Sequence, residues 1–161
     1  MAQLSLFDTS HPYKYIIDSS SIFSQKPTEP HRRTVNRSLW ENIERLIREQ
    51  KIVTCSEIRD EIKDEDLAKW LKSLSCIILD VDEEIQENVV RIVTEYPKLV
   101  DFGKVKSSGD PFLIATAMKY NLTVITEENK DKPHKIPKVC EAMGVSCLDI
   151  IELCTKEGWQ F

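Results

Sequence analysis

Four carboxylates in this chain stand either just after a short apolar run or at the start of a helix. Tyr13-Lys14-Tyr15-Ile16-Ile17 ends on Asp18 and three serines. Lys51-Ile52-Val53-Thr54-Cys55 runs into Ser56-Glu57-Ile58-Arg59-Asp60-Glu61-Ile62, where Glu57 and Glu61 share one helical face. Gly109-Asp110-Pro111 opens an apolar helix, and Leu122-Thr123-Val124-Ile125-Thr126 is followed by Glu127, Glu128 and Asn129. Gathering Asp18, Glu61 or Glu57, Asp110 and Glu127 or Glu128 in one place is unfavourable. A like-charge pair about 4 Å apart costs roughly 1 kcal/mol in water and about 4 kcal/mol at an effective dielectric of 20. Such a cluster asks for a cation. Oxygen-only ligands select a hard ion, Mg2+ or Mn2+, and no His or Cys set is spaced for zinc. A hard divalent ion polarises a phosphodiester and lowers the pKa of a bound water, so phosphodiester hydrolysis is the expected reaction.

The elements that must position these acids alternate. Strands are expected at 13–17, 51–55, 76–80, 122–126 and 145–147, separated by helices at 20–25, 35–50, 56–62, 64–73, 82–96, 111–117, 139–143 and 148–157. That alternation means α/β with a central, mostly parallel sheet of four to five strands. In an open parallel sheet ligands bind beyond the carboxyl ends of the strands, which is where Asp18 falls. Ser19 or Ser20 is expected to cap the first helix, and Asp110 the helix that Pro111 begins. In the last helix Ile150, Ile151 and Cys154 are expected to face inward.

With 161 residues, 41% of them hydrophobic, one domain over 1–161 is expected, with 1–12 as a tail. Five cysteines without a CxxC pair, and no signal-like segment before the first strand, point to a reducing cytoplasm. No apolar run approaches the roughly 20 residues that span a bilayer. A net charge of −5 argues against nonspecific nucleic-acid binding over the whole surface but leaves room for a local groove. Lys130, Lys135 and Lys138, in a basic loop over 130–138, are the candidates for RNA phosphate contact. His11, His31 and His134 show no pairing with a nucleophile and are expected at the surface.

These residues resemble the PIN-domain nucleases, in particular the VapC-like toxin ribonucleases. Tyr15-Ile16-Ile17-Asp18-Ser19-Ser20 is similar to the first family motif. Ile58-Arg59-Asp60-Glu61-Ile62 is similar to the second and favours Glu61 over Glu57. Asp110 leading Ile114-Ala115-Thr116-Ala117 resembles the third, and Val124-Ile125-Thr126-Glu127-Glu128 the fourth. The Lys135-Ile136-Pro137-Lys138-Val139-Cys140 run resembles a less-characterised branch. The resemblance implies a three-layer α/β/α PIN-like fold and an endoribonuclease using Mg2+ or Mn2+ held by Asp18, Glu61, Asp110 and Glu128. It further implies supporting hydrogen bonds from Ser20 and Thr126, a homodimer, and inhibition by a cognate antitoxin. The chain departs from the pattern at Glu128, where the family most often has Asp, so Asn129 is an alternative. Two other functions fit less of the sequence. One is a catalytically degenerate PIN-like module binding RNA or a protein; the other is a dehalogenase-like phosphatase, which wants Asp where this chain has Ser20.

Overall fold

The computed structural model describes residues 11–99 and 109–161. Of the tail expected over 1–12, only His11 and Pro12 are described; the rest lies outside the described residues. Strands and helices alternate through β1 (Tyr15–Ile17), α1 (Ser19–Phe23), α2 (Arg37–Arg48), β2 (Ile52–Cys55), α3 (Ser56–Glu61), α4 (Glu65–Ser73) and β3 (Ile78–Leu79). They continue through α5 (Glu83–Glu95), α6 (Asp110–Tyr120), β4 (Thr123–Ile125), α7 (Ile136–Ala142), β5 (Cys147–Leu148) and α8 (Ile150–Glu157). The strands form one five-stranded sheet in the order β3-β2-β1-β4-β5 with parallel pairing throughout.

A parallel sheet covered on both faces has strands that read as continuous apolar runs. Here the runs divide by period 2. Ile16, Val53 and Val124 join Ile85 and Ile92 of α5, Leu113 and Ile114 of α6 and Val139 of α7 in one buried layer. Tyr15, Ile17, Ile52 and Ile125 join Ile22 of α1, Trp40 and Ile43 of α2, Leu67 of α4, and Ile150 and Leu153 of α8 in the other. This is the expected three-layer α/β/α arrangement. Trp40 is fully buried, and Trp70 meets it edge-on with ring centroids 6.0 Å apart.

The topology fixes where a ligand site lies. From β1 the sheet grows to β2 and β3 on one side and to β4 and β5 on the other, so the switch point lies between β1 and β4. Register aligns Ile17 with Ile125, and the Asp18 N–H donates to the Ile125 carbonyl at 2.9 Å. Asp18 and Thr126 therefore emerge side by side. α6, the best-buried helix at this crevice, is apolar nearly all round and ends on Asn121 in the left-handed region at φ 57°.

Several local expectations are corrected. Asp18, not Ser19 or Ser20, is the N-cap of α1; its backbone is extended and its carboxylate accepts the Ser19 N–H. α6 starts one residue earlier than expected, because the Leu113 N–H donates to the Gly109 carbonyl and makes Gly109 the N-cap. Asp110 is thus the first helical residue and its carboxylate has no capping duty. In α8 the inward residues are Ile150 and Leu153, whereas Ile151 is 60% exposed, because the capping box of Asp149 with Glu152 sets the helical phase. α7 begins at Ile136, ahead of the expected 139, with Pro137 in the first turn where its missing N–H costs nothing. Among the described residues no helix is long and apolar enough to cross a membrane.

Candidate functional site

Asp18 is 3% exposed and accepts three hydrogen bonds. Its Oδ1 accepts the Ser19 N–H at 2.8 Å, and its Oδ2 accepts the Ser20 Oγ at 2.6 Å and the Thr126 Oγ1 at 2.8 Å. Each hydroxyl has one proton, and both protons go to Asp18. Their oxygens then accept from the next strand end, Ser20 Oγ from the Glu127 N–H at 3.0 Å and Thr126 Oγ1 from the Glu128 N–H at 3.2 Å. A carboxylate offers about four lone-pair sites, so three donors leave roughly one for an outside ligand. Burial pushes the Asp18 carboxyl upward, against these hydrogen bonds, which pull it down.

Glu61 arrives from the end of α3. Its Oε2 accepts the Ser19 Oγ at 3.3 Å, while its Oε1 is buried and has no hydrogen-bond partner among the described residues. Burial first, and the Asp18 charge second, push its carboxyl up to about 7. Gly109 makes room for it. The Gly109 backbone, at φ −81° and ψ −20°, is one any residue adopts, but a Cβ there would overlap Glu61 Oε1 and come within 3.1 Å of Ile58 Cδ1. The glycine matters here for space rather than for conformation, since a Cβ is accommodated only if the Glu61 carboxylate moves aside.

Asp110 and Glu128 complete the group. The Asp110 carboxyl is raised by burial and then by the charges of Asp18, Glu128 and Glu61, with Lys135 lowering it. Glu128 is half-buried and raised by burial and by Asp18, again with Lys135 opposing. The four acids thus feel one another across the switch point. Glu57 is not among the largest charges acting on Glu61, Asp110 and Glu128, and Asn129 Oδ1 is taken by the Asp131 N–H at 2.8 Å. Glu127 turns to the other side, bonded through Oε1 to His31 Nε2 at 2.8 Å and through Oε2 to the Ile150 N–H at 3.0 Å. Glu128 is the glutamate the fold directs to the cluster.

The three lysines separate. Lys135 Nζ lies 3.9 Å from Glu128 Oε2, beside the acids. Lys130 is engaged by Asp149 at 2.8 Å and Glu152 at 2.6 Å, and Lys138 lies 3.5 Å from Glu141. His31 corrects the surface expectation: its side chain is 13% exposed and faces Glu127. No spacing in the sequence marks that pair, since the two residues are 96 positions apart. The free space at Gly109 was likewise invisible without Glu61 beside it.

The donor set suits a hard divalent ion. It is all oxygen, it carries several negative charges in a partly buried crevice, and Glu61 Oε1 has no side-chain partner among the described residues. Among the described residues no three His, Cys, Asp or Glu side chains stand close enough together to hold a metal ion as they are, so the acids would have to draw inward to share one.

Comparison with known proteins gives the same fold. PAE2754 from Pyrobaculum aerophilum superposes with a TM-score of 0.51 at 13% identity, covering 92% of each chain. FitAcB from Neisseria gonorrhoeae gives 0.53 at 20% identity, covering 85% of this chain and 98% of that one. VapBC2 from Rickettsia felis, solved bound to a DNA fragment from its promoter, gives 0.52 at 14% identity, covering 84% and 97%. At these identities the likeness shows the fold, the PIN-like one that the motifs imply. No curated protein sequence matches the chain. The family described as "Domain of unknown function (DUF4411)" matches residues 15–161, and the chain belongs to it.

Proposed function

We propose that this protein is a metal-dependent endoribonuclease, the toxin of a toxin–antitoxin pair, with Asp18, Glu61, Asp110 and Glu128 holding Mg2+ or Mn2+. The carrying observation is the acid cluster itself: four carboxylates at the switch point, each pushed upward by burial, with the charge of a neighbouring acid adding at Glu61, Asp110 and Glu128. A fold that keeps such groups together gains from a cation that neutralises them. The bound ion supplies polarisation of the phosphodiester and a water acidic enough to attack at neutral pH.

The chain's own residues do the rest. Ser20 and Thr126 donate to Asp18 and hold it in one orientation. Lys135, 3.9 Å from Glu128 and so held more loosely than Lys130 and Lys138 are by their own acids, offers its ammonium to an RNA phosphate. The fold shared with FitAcB and VapBC2 supports a cognate antitoxin as partner; a homodimer working in the cytoplasm is the rest of the proposal. Inert protein that nonetheless binds RNA or a partner would point to the degenerate-module reading.

A mixed RNA pool tests the activity. Cutting is expected only with Mg2+ or Mn2+, and Asp110→Asn is expected to reduce it by at least about 100-fold, since even residues that only support metal ligands cost 10–100-fold. The same variant removes one of several mutually repelling acids, so its metal-free Tm at pH 8 is expected to rise by about 2–4 °C, the response of a domain this size to roughly 1 kcal/mol. Equal cutting by both proteins would remove Asp110 from the site.

Glu61 sets a pH window. Its folded carboxyl, near 7, lies above the ordinary 4.5, so the folded protein keeps a proton that the unfolded chain has released. The stability this confers is complete below about 4.5 and is lost as pH rises through 7. Cation binding needs the ionised form, so the rise in Tm produced by millimolar Mn2+ is expected to be small at pH 5.5 and larger at pH 7.5. A rise that is constant with pH would contradict this.

Gly109→Ala is expected to leave the far-UV circular dichroism unchanged and weaken Mn2+ binding about 10-fold or more by displacing the Glu61 carboxylate. Unchanged affinity in titration calorimetry would show that Glu61 is not a ligand.

A further inference from the structure

The Glu127–His31 pair lies outside the acid cluster, and it is built as a fixture. Both carboxylate oxygens of Glu127 are bonded, one to His31 Nε2 and one by the first N–H of α8, that of Ile150. Its own N–H donates to Ser20 Oγ at 3.0 Å. Residue 127 therefore ties together the β4 end, the loop between α1 and α2, the start of α8, and the hydroxyl that orients Asp18.

The His31 end is equally fixed. The His31 N–H donates to the Ser24 carbonyl at 3.1 Å, and the buried Trp40 donates its indole Nε1–H to the His31 carbonyl at 2.6 Å. Two residues on, Arg33 donates to Gln25 Oε1 at 3.0 Å and pairs with Glu44 at 2.8 Å. It also lies over Trp40 and Trp70, 5.9 and 5.8 Å from their ring centroids. Glu44 accepts the Trp70 indole N–H as well, at 2.6 Å. The loop that presents His31 is thus clamped to α2 and α4 by groups with no contact to the acids.

We infer that His31 and Glu127 are positioning residues for the acid cluster: the pair holds the segment after β4 so that Glu128 faces Asp18 and Asp110, and so that Ser20 stays on Asp18. The inference rests on the proposed cation site. Releasing His31 frees Glu127 to rotate, slackens the bond from its N–H to Ser20, and lets Glu128 leave the cluster without disturbing the core.

The test compares wild type, His31→Ala and His31→Gln, all checked for folding by far-UV circular dichroism, in three readouts: Mn2+ titration calorimetry, amide hydrogen exchange at Glu127 and Glu128, and RNA cleavage. His31→Ala is expected to weaken Mn2+ binding by about 10-fold, within the range for partners that hold a metal ligand. It should also speed exchange at both amides and lower kcat with little change in KM. His31→Gln keeps a donor for Glu127 and is expected to recover Mn2+ affinity to within about 3-fold of wild type. Should His31→Ala fail to fold, Glu127→Ala carries the same expectations. A pair that only braces the fold would lower Tm and leave Mn2+ affinity within 2-fold of wild type, and that result overturns the inference alone. Wild-type protein that takes up no Mn2+ overturns the cation site and this inference with it.

Discussion

Asp18 has little room to move, and the crevice is organised around that fact. Two hydroxyls and a backbone N–H hold its carboxylate, and each hydroxyl takes its second bond from the backbone of the segment after β4. The ends of β1 and β4 are therefore joined by side chains as well as by the strand ladder. That joint needs β1 and β4 to be neighbours in register, which the five-strand order supplies. It also needs both to be central, so that helices on the two faces exclude water from the acids' backs.

The remaining acids are brought in against their own electrostatics. Burial raises each of them, and the charge of a neighbouring acid adds at Glu61, Asp110 and Glu128. Natural domains are stable by only about 5–15 kcal/mol, so a cluster of this kind uses a real fraction of what the two apolar layers provide. Each layer covers one face of β1 and β2, whose residues are all buried. Strain of this sort concentrates at functional sites because a ligand relieves it. Lys135 already offsets part of the charge at Asp110 and Glu128.

What was legible in the sequence was local. Apolar runs ending on carboxylates marked the strand ends. The misplaced details were those decided by one residue of phase. Asp110 reads as a cap because Asp is a good one, yet the helix starts a residue sooner. Ile151 reads as inward because it is isoleucine, yet the Asp149 capping box turns it to solvent. What could not be read was long-range. His31 and Glu127 carry no mark of their pairing across 96 positions, and Gly109 looks like an ordinary helix breaker until Glu61 is found lying against it. Such contacts depend on side chains meeting in three dimensions, which periodicity does not encode.

The central claim is that Asp18, Glu61, Asp110 and Glu128 form one cation site. The most direct measurement is anomalous scattering at the manganese edge from crystals grown with Mn2+ at pH 7.5, above the raised value of Glu61. The account predicts a strong peak within coordination distance of carboxylate oxygens from at least three of the four acids, at about 2.0–2.6 Å as hard divalent ions require. Ordered side chains with no peak between them, or a peak elsewhere on the molecule, would contradict it.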